Sequence, residues 1–244
     1  MEYYLIDPQT YDDQFWWKKD DIEFWKSLFI YPDTNILELA AGTGRLAVPL
    51  IREGINYTGL ELSNEYVQYA NLKFQFSDPI ILGDMRDFNF NKKYDFIFIG
   101  FNSFLHLLSE NEAIQCLRSI KNHMHSNSKL YIDIFMPHAS SLYRPSSDIL
   151  TVMEFMDSQQ KCTSTVEEFF CYDNKSAVAS INWQYKNQEN IYYKKFDFQM
   201  KIYFPNTMNR ILVDNGFYIY NLWGSYDKSP LEEGSLLQIY ELGI

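Results

Sequence analysis

The residues of this chain best suited to chemistry are Glu38, the glycines of Ala41-Gly42-Thr43-Gly44, Glu61 and Asp84. Each follows or ends a short apolar run, at 35–40, 57–62 and 79–83. A glycine turn between a strand and a helix lets backbone approach a ligand closely and aims unpaired amides at it. Taken alone, the turn at 41–44 is read equally well as one that holds nothing. Glu61 changes that balance. It follows Gly44 by 17 residues, about the spacing at which an acid takes ribose hydroxyls. Asp84, in Gly83-Asp84-Met85-Arg86-Asp87-Phe88, adds a third such group. Three strand ends in a row, each with an acid or a glycine turn, describe a nucleoside site.

The charge of the ligand follows from Glu38. A carboxylate just before the turn repels a pyrophosphate and suits an ammonium or a sulfonium. A nicotinamide dinucleotide would also want a third glycine, and the position three after Gly44 is Ala47. That replacement is tolerated, so the glycine test is partial. The electrostatics favour S-adenosylmethionine, which carries both cations.

To stand side by side these groups need a parallel sheet. Helical spacing of Phe15, Trp16, Ile22, Trp25, Leu28 and Phe29 predicts a helix over 10–30, ended by Pro32-Asp33. Strands follow at 35–40, 57–62, 79–83, 94–100 and 130–135, with helices at 45–53, 64–74 and 110–123. Alternation at these lengths predicts βαβ units and a parallel sheet buried on both faces. From 148 to 204 the period changes to two, as in Ala177-Val178-Ala179-Ser180-Ile181-Asn182-Trp183, and predicts three or four antiparallel strands. A helix at 206–215 and strands at 217–223 and 236–242 come next. The expected fold is α/β, a Rossmann-like sheet with helices on both faces plus an inserted antiparallel β subdomain. Its parts are a helical cap at 1–34, an α/β domain at 35–147 and 205–244, and a lid or acceptor subdomain at 148–204.

Composition removes several partners. Lys+Arg is 21 against Asp+Glu 32, a net charge of −11, and such a chain repels phosphate backbones. Its cations do not cluster beyond pairs such as Lys18-Lys19, Lys92-Lys93 and Lys194-Lys195. No nucleic acid is expected as a partner. Cys116, Cys162 and Cys171 form no C-x-x-C pair, so neither a disulfide framework nor a zinc site is suggested. His123 and His125 flank a helix end and are expected to be solvated, leaving no metal site. No apolar run reaches the ~18 residues of a membrane span, and Met1-Glu2-Tyr3-Tyr4 lacks the start of a signal peptide. A cytoplasmic protein without a membrane partner is expected. Aromatics, at 18%, are abundant enough to wall a ligand pocket as well as a core.

The segments Leu37-Glu38-Leu39-Ala40-Ala41-Gly42-Thr43-Gly44-Arg45, Gly59-Leu60-Glu61-Leu62-Ser63 and Gly83-Asp84-Met85-Arg86-Asp87-Phe88 resemble three motifs of the class I S-adenosylmethionine-dependent methyltransferases. Asn102-Ser103-Phe104-Leu105-His106 and Gly224-Ser225-Tyr226-Asp227-Lys228-Ser229-Pro230 extend the likeness to the small-molecule branch that includes deoxysugar amine N,N-dimethyltransferases. The resemblance implies the class I sheet, with S-adenosylmethionine as cofactor. It implies that Glu38 faces the methionine ammonium, that Gly42 and Gly44 line methionine and ribose, and that Glu61 takes both ribose hydroxyls. Ala40, Thr43 and Leu62 belong to the same motifs. Asp84 and the Met85 amide would hold adenine, and Phe101 or Asn102 would line the donor pocket. Tyr11 matches a recurring tyrosine of the family's N-terminal segment, with Tyr4 and Trp17 as other aromatics there. Trp16-Trp17 replaces a glycine-rich stretch, a departure that bears on a sugar-nucleotide acceptor.

The function expected is methyl transfer to a nitrogen or oxygen of a small molecule. The alternatives are a protein or RNA methyltransferase, or a non-catalytic S-adenosylmethionine-binding module. His106 and Tyr11 are the candidate proton acceptors, His106 having also an ordinary structural reading. His138 and Arg144 are candidates for the acceptor side. A homodimer is the assembly allowed for.

Overall fold

Asp7 opens the first helix by accepting the Thr10 amide on its carboxylate, in a computed structural model that describes residues 6–29, 34–75 and 77–244. The elements are α1 (Pro8–Gln14), α2 (Asp20–Leu28), β1 (Asn35–Leu39), α3 (Ala47–Arg52), β2 (Asn56–Glu61), α4 (Asn64–Asn71), β3 (Ile80–Leu82) and β4 (Tyr94–Ile99). A 3-10 turn (Ser103–His106) leads to α5 (Glu110–Asn122), β5 (Met124–Phe135) and α6 (Ala139–Leu142). Then come β6 (Leu150–Asp157), β7 (Cys162–Asp173), β8 (Val178–Lys186), β9 (Tyr192–Lys201), α7 (Pro205–Asp214), β10 (Tyr218–Trp223) and β11 (Leu237–Gly243).

The chain divides into two compact units. One joins the described residues up to Lys18 with Pro137–Ile202; the other joins Lys19–Met136 with Tyr203–Ile244. The larger unit holds a seven-stranded sheet in the order β10-β11-β5-β4-β1-β2-β3. Its strands run parallel except β11, which is antiparallel to both β5 and β10. This is the Rossmann-like sheet expected. The reason lies in residues such as Ile36, Leu37, Leu39, Ile97, Phe98 and Ile99, all buried, which need helices on both faces. Trp25, fully buried on α2, anchors one face: its ring lies 4.7 Å from Phe98 and 6.1 Å from Phe29.

The smaller unit is a four-stranded antiparallel sheet in the order β6-β7-β8-β9. One face buries Phe155, Val166 and Tyr185 together with Ile6. Helix α1 belongs to this unit: the Tyr185 hydroxyl donates to Gln14 Oε1 at 2.9 Å, and Lys194 reaches Thr10 Oγ1 at 3.1 Å.

Two local expectations are corrected. The helix expected over 10–30 is two helices in different units, because 18–21 reads Lys-Lys-Asp-Asp and offers no apolar residue to continue the stripe. Pro32-Asp33, expected to end that helix, and Tyr4 lie outside the described residues. Strand β5 begins at Met124 rather than 130. Its polar start is hidden from periodicity by an irregularity between Tyr94 and Phe96 of β4, where Ser128 Oγ accepts from the His125 amide and donates to the Tyr94 carbonyl.

The core argument predicts a contrast. Trp25→Ala should lower unfolding free energy by ~3–5 kcal/mol, while Leu72→Ala, at a position 85% exposed, should change it by no more than ~0.5 kcal/mol. Urea denaturation followed by circular dichroism measures both.

Candidate active site

In parallel α/β sheets, ligands sit beyond the carboxyl ends of the strands, and here those ends gather the expected residues. Strands β1 and β2 pair with Glu38 opposite Gly59 and Leu39 opposite Leu60. The chain then turns through left-handed Ala40, Gly42 and Gly44, at φ 58°, 58° and 76°. The two glycines act differently. A Cβ on Gly44 would press Ile80 Cδ1 at 3.1 Å and Ala70 Cβ at 3.4 Å, so this glycine lets helix, strand and turn close together. A Cβ on Gly42 would meet nothing within 4 Å, so this glycine leaves bare backbone facing open space. Thr43 is buried, and its carbonyl accepts from Lys73 at 2.8 Å.

Glu61 ends β2 and is 7% exposed. One carboxylate oxygen accepts the Gly42 amide and the other the Ser63 amide, each at 2.9 Å. Burial pushes its carboxyl above the usual range, and the Ser63, Gly42 and Leu62 amides oppose that push. Three amides leave part of its acceptor capacity unused, since an ionised carboxylate has about four lone-pair sites. Two carboxylate oxygens side by side at a strand end suit adjacent hydroxyls, so this acceptor set fits a ribose diol. Leu62, beside it, is partly exposed.

Glu38 lies deeper. Burial raises its carboxyl from 4.5 to about 8, against the Tyr57 hydroxyl that donates to it and the charge of Arg45. Arg45 in turn grips the fully buried Asp21 through two bonds of 2.8 and 2.6 Å, and its guanidinium lies 5.3 Å from the Phe101 ring centre. A cation placed beside this acid would favour its ionised form.

Asp84 follows β3, with Met85 half-buried beside it. Burial pushes the Asp84 carboxyl up, but bonds from the Arg86 side chain and amide hold it below its usual value. Arg86 reaches both Asp84 oxygens at 2.6–3.0 Å and Glu112 at 2.6 Å.

Beyond β4, Phe101 and Asn102 are consecutive left-handed residues, at φ 50° and 67°. Each costs ~1–2 kcal/mol in this conformation, so neighbouring groups must hold them. The Asn102 side chain accepts the Phe135 amide at 2.6 Å. His106 ends the 3-10 turn and is exposed.

Glu38, Ala40, Gly42, Thr43, Gly44, Glu61, Leu62, Asp84, Met85, Phe101, Asn102 and His106 all belong to the larger unit. Tyr11 belongs to the smaller one, its ring 4.7 Å from Phe15. His138 and Arg144 are also there, Arg144 bonded to Glu168 at 2.6 Å. His123 is corrected: it is buried, its Nδ1 at 2.7 Å from the Ser119 carbonyl and its Nε2 accepting the Phe90 amide at 3.0 Å. An imidazole so used on both nitrogens is structural. Among the described residues no group of three or more His, Cys, Asp or Glu is arranged to hold a metal ion, and no helix is long and apolar enough to cross a membrane. Sequence reasoning did not find Asp21, Tyr57 or Asp133. Arg45, directly after the glycine turn, is the signal from which a buried counter-charge could have been found.

Residues 36–127 match the model of a methyltransferase domain family. The match runs from β1 to the start of β5, the part of the sheet that carries the strand ends described above. Among its relatives is YqeM of Bacillus subtilis, a methyltransferase by description, 24% identical over 83% of this chain and 81% of that protein. The methyltransferase fold is shared with CcbJ from Streptomyces caelestis: TM-score 0.79, 18% identity, covering 97% of this chain and 98% of that one. It is shared too with S-adenosylmethionine-bound CalS10, an amino pentose methyltransferase from Micromonospora echinaspora, at TM-score 0.71 and 14% identity over 99% and 98% of the two chains.

The Glu38 environment gives this chain a pH signature without cofactor. Because its folded value near 8 lies above 4.5, the stability it contributes is fully present below about pH 4.5 and is lost as pH rises through 8. Glu38→Gln removes that loss. Melting of the cofactor-free variant should pull ahead of wild type progressively from pH 5 to pH 8, by roughly 2–5 kcal/mol at the upper end. A constant offset across that range would reject the assignment.

Proposed function

We propose that the enzyme transfers a methyl group to a nitrogen or oxygen of a small molecule bearing an amine or a hydroxyl. The observation that carries this reading is the extent of the likeness to the amino pentose methyltransferase CalS10, which covers 99% of this chain, antiparallel sheet included. The net charge of −11 agrees, since it disfavours an RNA acceptor.

S-adenosylmethionine supplies an electrophilic methyl carbon on a sulfonium. In this reading Glu61 binds the ribose diol through the lone pairs that Gly42 and Ser63 leave it, and Glu38 takes the methionine ammonium. The bare backbone at Gly42, with Ala40, Thr43 and Gly44, lines the methionine and ribose, and Leu62 lies beside the ribose. Asp84 and the Met85 amide take the adenine edge, with Arg86 fixing their loop. Phe101 and Asn102 line the donor pocket. The antiparallel unit is assigned acceptor recognition, and Tyr11 a part in cofactor binding and proton removal. Most of the rate comes from fixing acceptor and methyl in near-attack geometry, which supplies ~7–11 kcal/mol. His106 is the base for an amine that arrives protonated.

A panel of small amines and phenols, scored for conversion of S-adenosylmethionine to S-adenosylhomocysteine, tests the acceptor class; turnover only with a protein or RNA would overturn it. Glu61→Ala should weaken cofactor binding at least ~10-fold, since it removes bonds to a charged group worth ~1.5–3 kcal/mol each. Isothermal titration measures that, and unchanged affinity would reject the ribose contact. His106→Asn should slow an amine acceptor by ~10²–10⁴-fold, the deficit shrinking as pH rises and the amine loses its own proton. A deficit that does not vary with pH would assign His106 to positioning.

A further inference from the structure

Two motifs of the sequence, 102–106 and 224–230, meet at a buried acid that the function above does not use. Asp133, on β5, is 1% exposed and pairs with Ile239 of β11. Its Oδ2 accepts the Phe101 amide at 3.1 Å and the Tyr226 hydroxyl at 2.6 Å, and its carbonyl accepts the Asn102 amide at 3.0 Å. With the Phe135 amide donating to Asn102 Oδ1, both left-handed residues after β4 are tied to one stretch of β5. The loop carrying Tyr226 is itself tightly made: Gly224 donates to the Ser229 carbonyl at 2.8 Å. A Cβ on Gly224 would collide with Ser235 Oγ at 2.1 Å, so this glycine lets the loop close. Burial first, then Asp133, push the Tyr226 phenol well above its usual range and keep it a donor.

We infer that Asp133 is a positioning residue for cofactor binding: pinned by Tyr226, it holds Phe101 and Asn102 in the left-handed turn that shapes the donor pocket. This rests on the reading of the strand ends as the cofactor site. Thus the segment 224–230 acts on the cofactor through Asp133 rather than by contact.

The test titrates S-adenosylhomocysteine into the full chain and its variants by calorimetry, with folding checked by circular dichroism. Tyr226→Phe removes one hydroxyl and should raise Kd about tenfold. Asp133→Ala should raise it further, and Asp133→Asn, which keeps an acceptor oxygen, should recover most of that loss. Should Asp133→Ala fail to fold, Tyr226→Phe and Asp133→Asn still decide the matter. Lower melting temperatures with Kd within twofold of wild type in Tyr226→Phe would make the cluster merely structural and overturn the inference. A wild-type chain that binds no S-adenosylhomocysteine would overturn the cofactor reading and this inference with it. Binding by wild type with unaffected variants overturns the inference alone.

Discussion

A carboxylate kept from water and solvated by its own backbone is the constraint on which the site depends. Glu61 could not remain in that buried place without the amides that answer it. Those amides come from two different turns, after β1 and after β2, so one side chain sets the distance between neighbouring strand ends. The left-handed Gly42 puts its amide where Glu61 needs it while leaving that backbone uncovered. Satisfying a buried charge and leaving backbone uncovered are therefore one structural act.

The acids of this region form an unbalanced set. Glu38 feels Asp21 and Glu61 as well as Arg45, and Arg45 is already committed to Asp21 by two short bonds. Folding accepts that imbalance because Trp25, Phe29, Phe98 and their neighbours bury enough apolar surface to tolerate it. The cost of burying acids is thus concentrated at the ends of β1 and β2.

What the sequence disclosed follows from range. Glu38, Glu61 and Asp84 were legible because each ends or follows an apolar run, and a parallel sheet brings such ends together whatever the helices between do. The change of period at 148 was legible because antiparallel strands alternate. Pairings across the chain were not. Asp21 meets Arg45 across 24 positions and Tyr226 meets Asp133 across 93, distances at which no local pattern speaks. His123 was misread for the same reason: its ring is stacked on Phe88 at 4.5 Å, a contact set by tertiary packing. The break between α1 and α2 was the exception, a local signal in Lys18-Lys19-Asp20-Asp21 that the aromatic spacing on either side concealed.

The membership of α1 has a practical corollary for anyone cutting or grafting the chain. Because Ile6 and Gln14 complete the interior of the antiparallel sheet, trimming the first fifteen or so residues would not simply shorten a dispensable leader. It would open a hole in a module whose remaining parts lie more than a hundred residues downstream. An excised antiparallel module would have to carry α1 spliced onto residues 137–202.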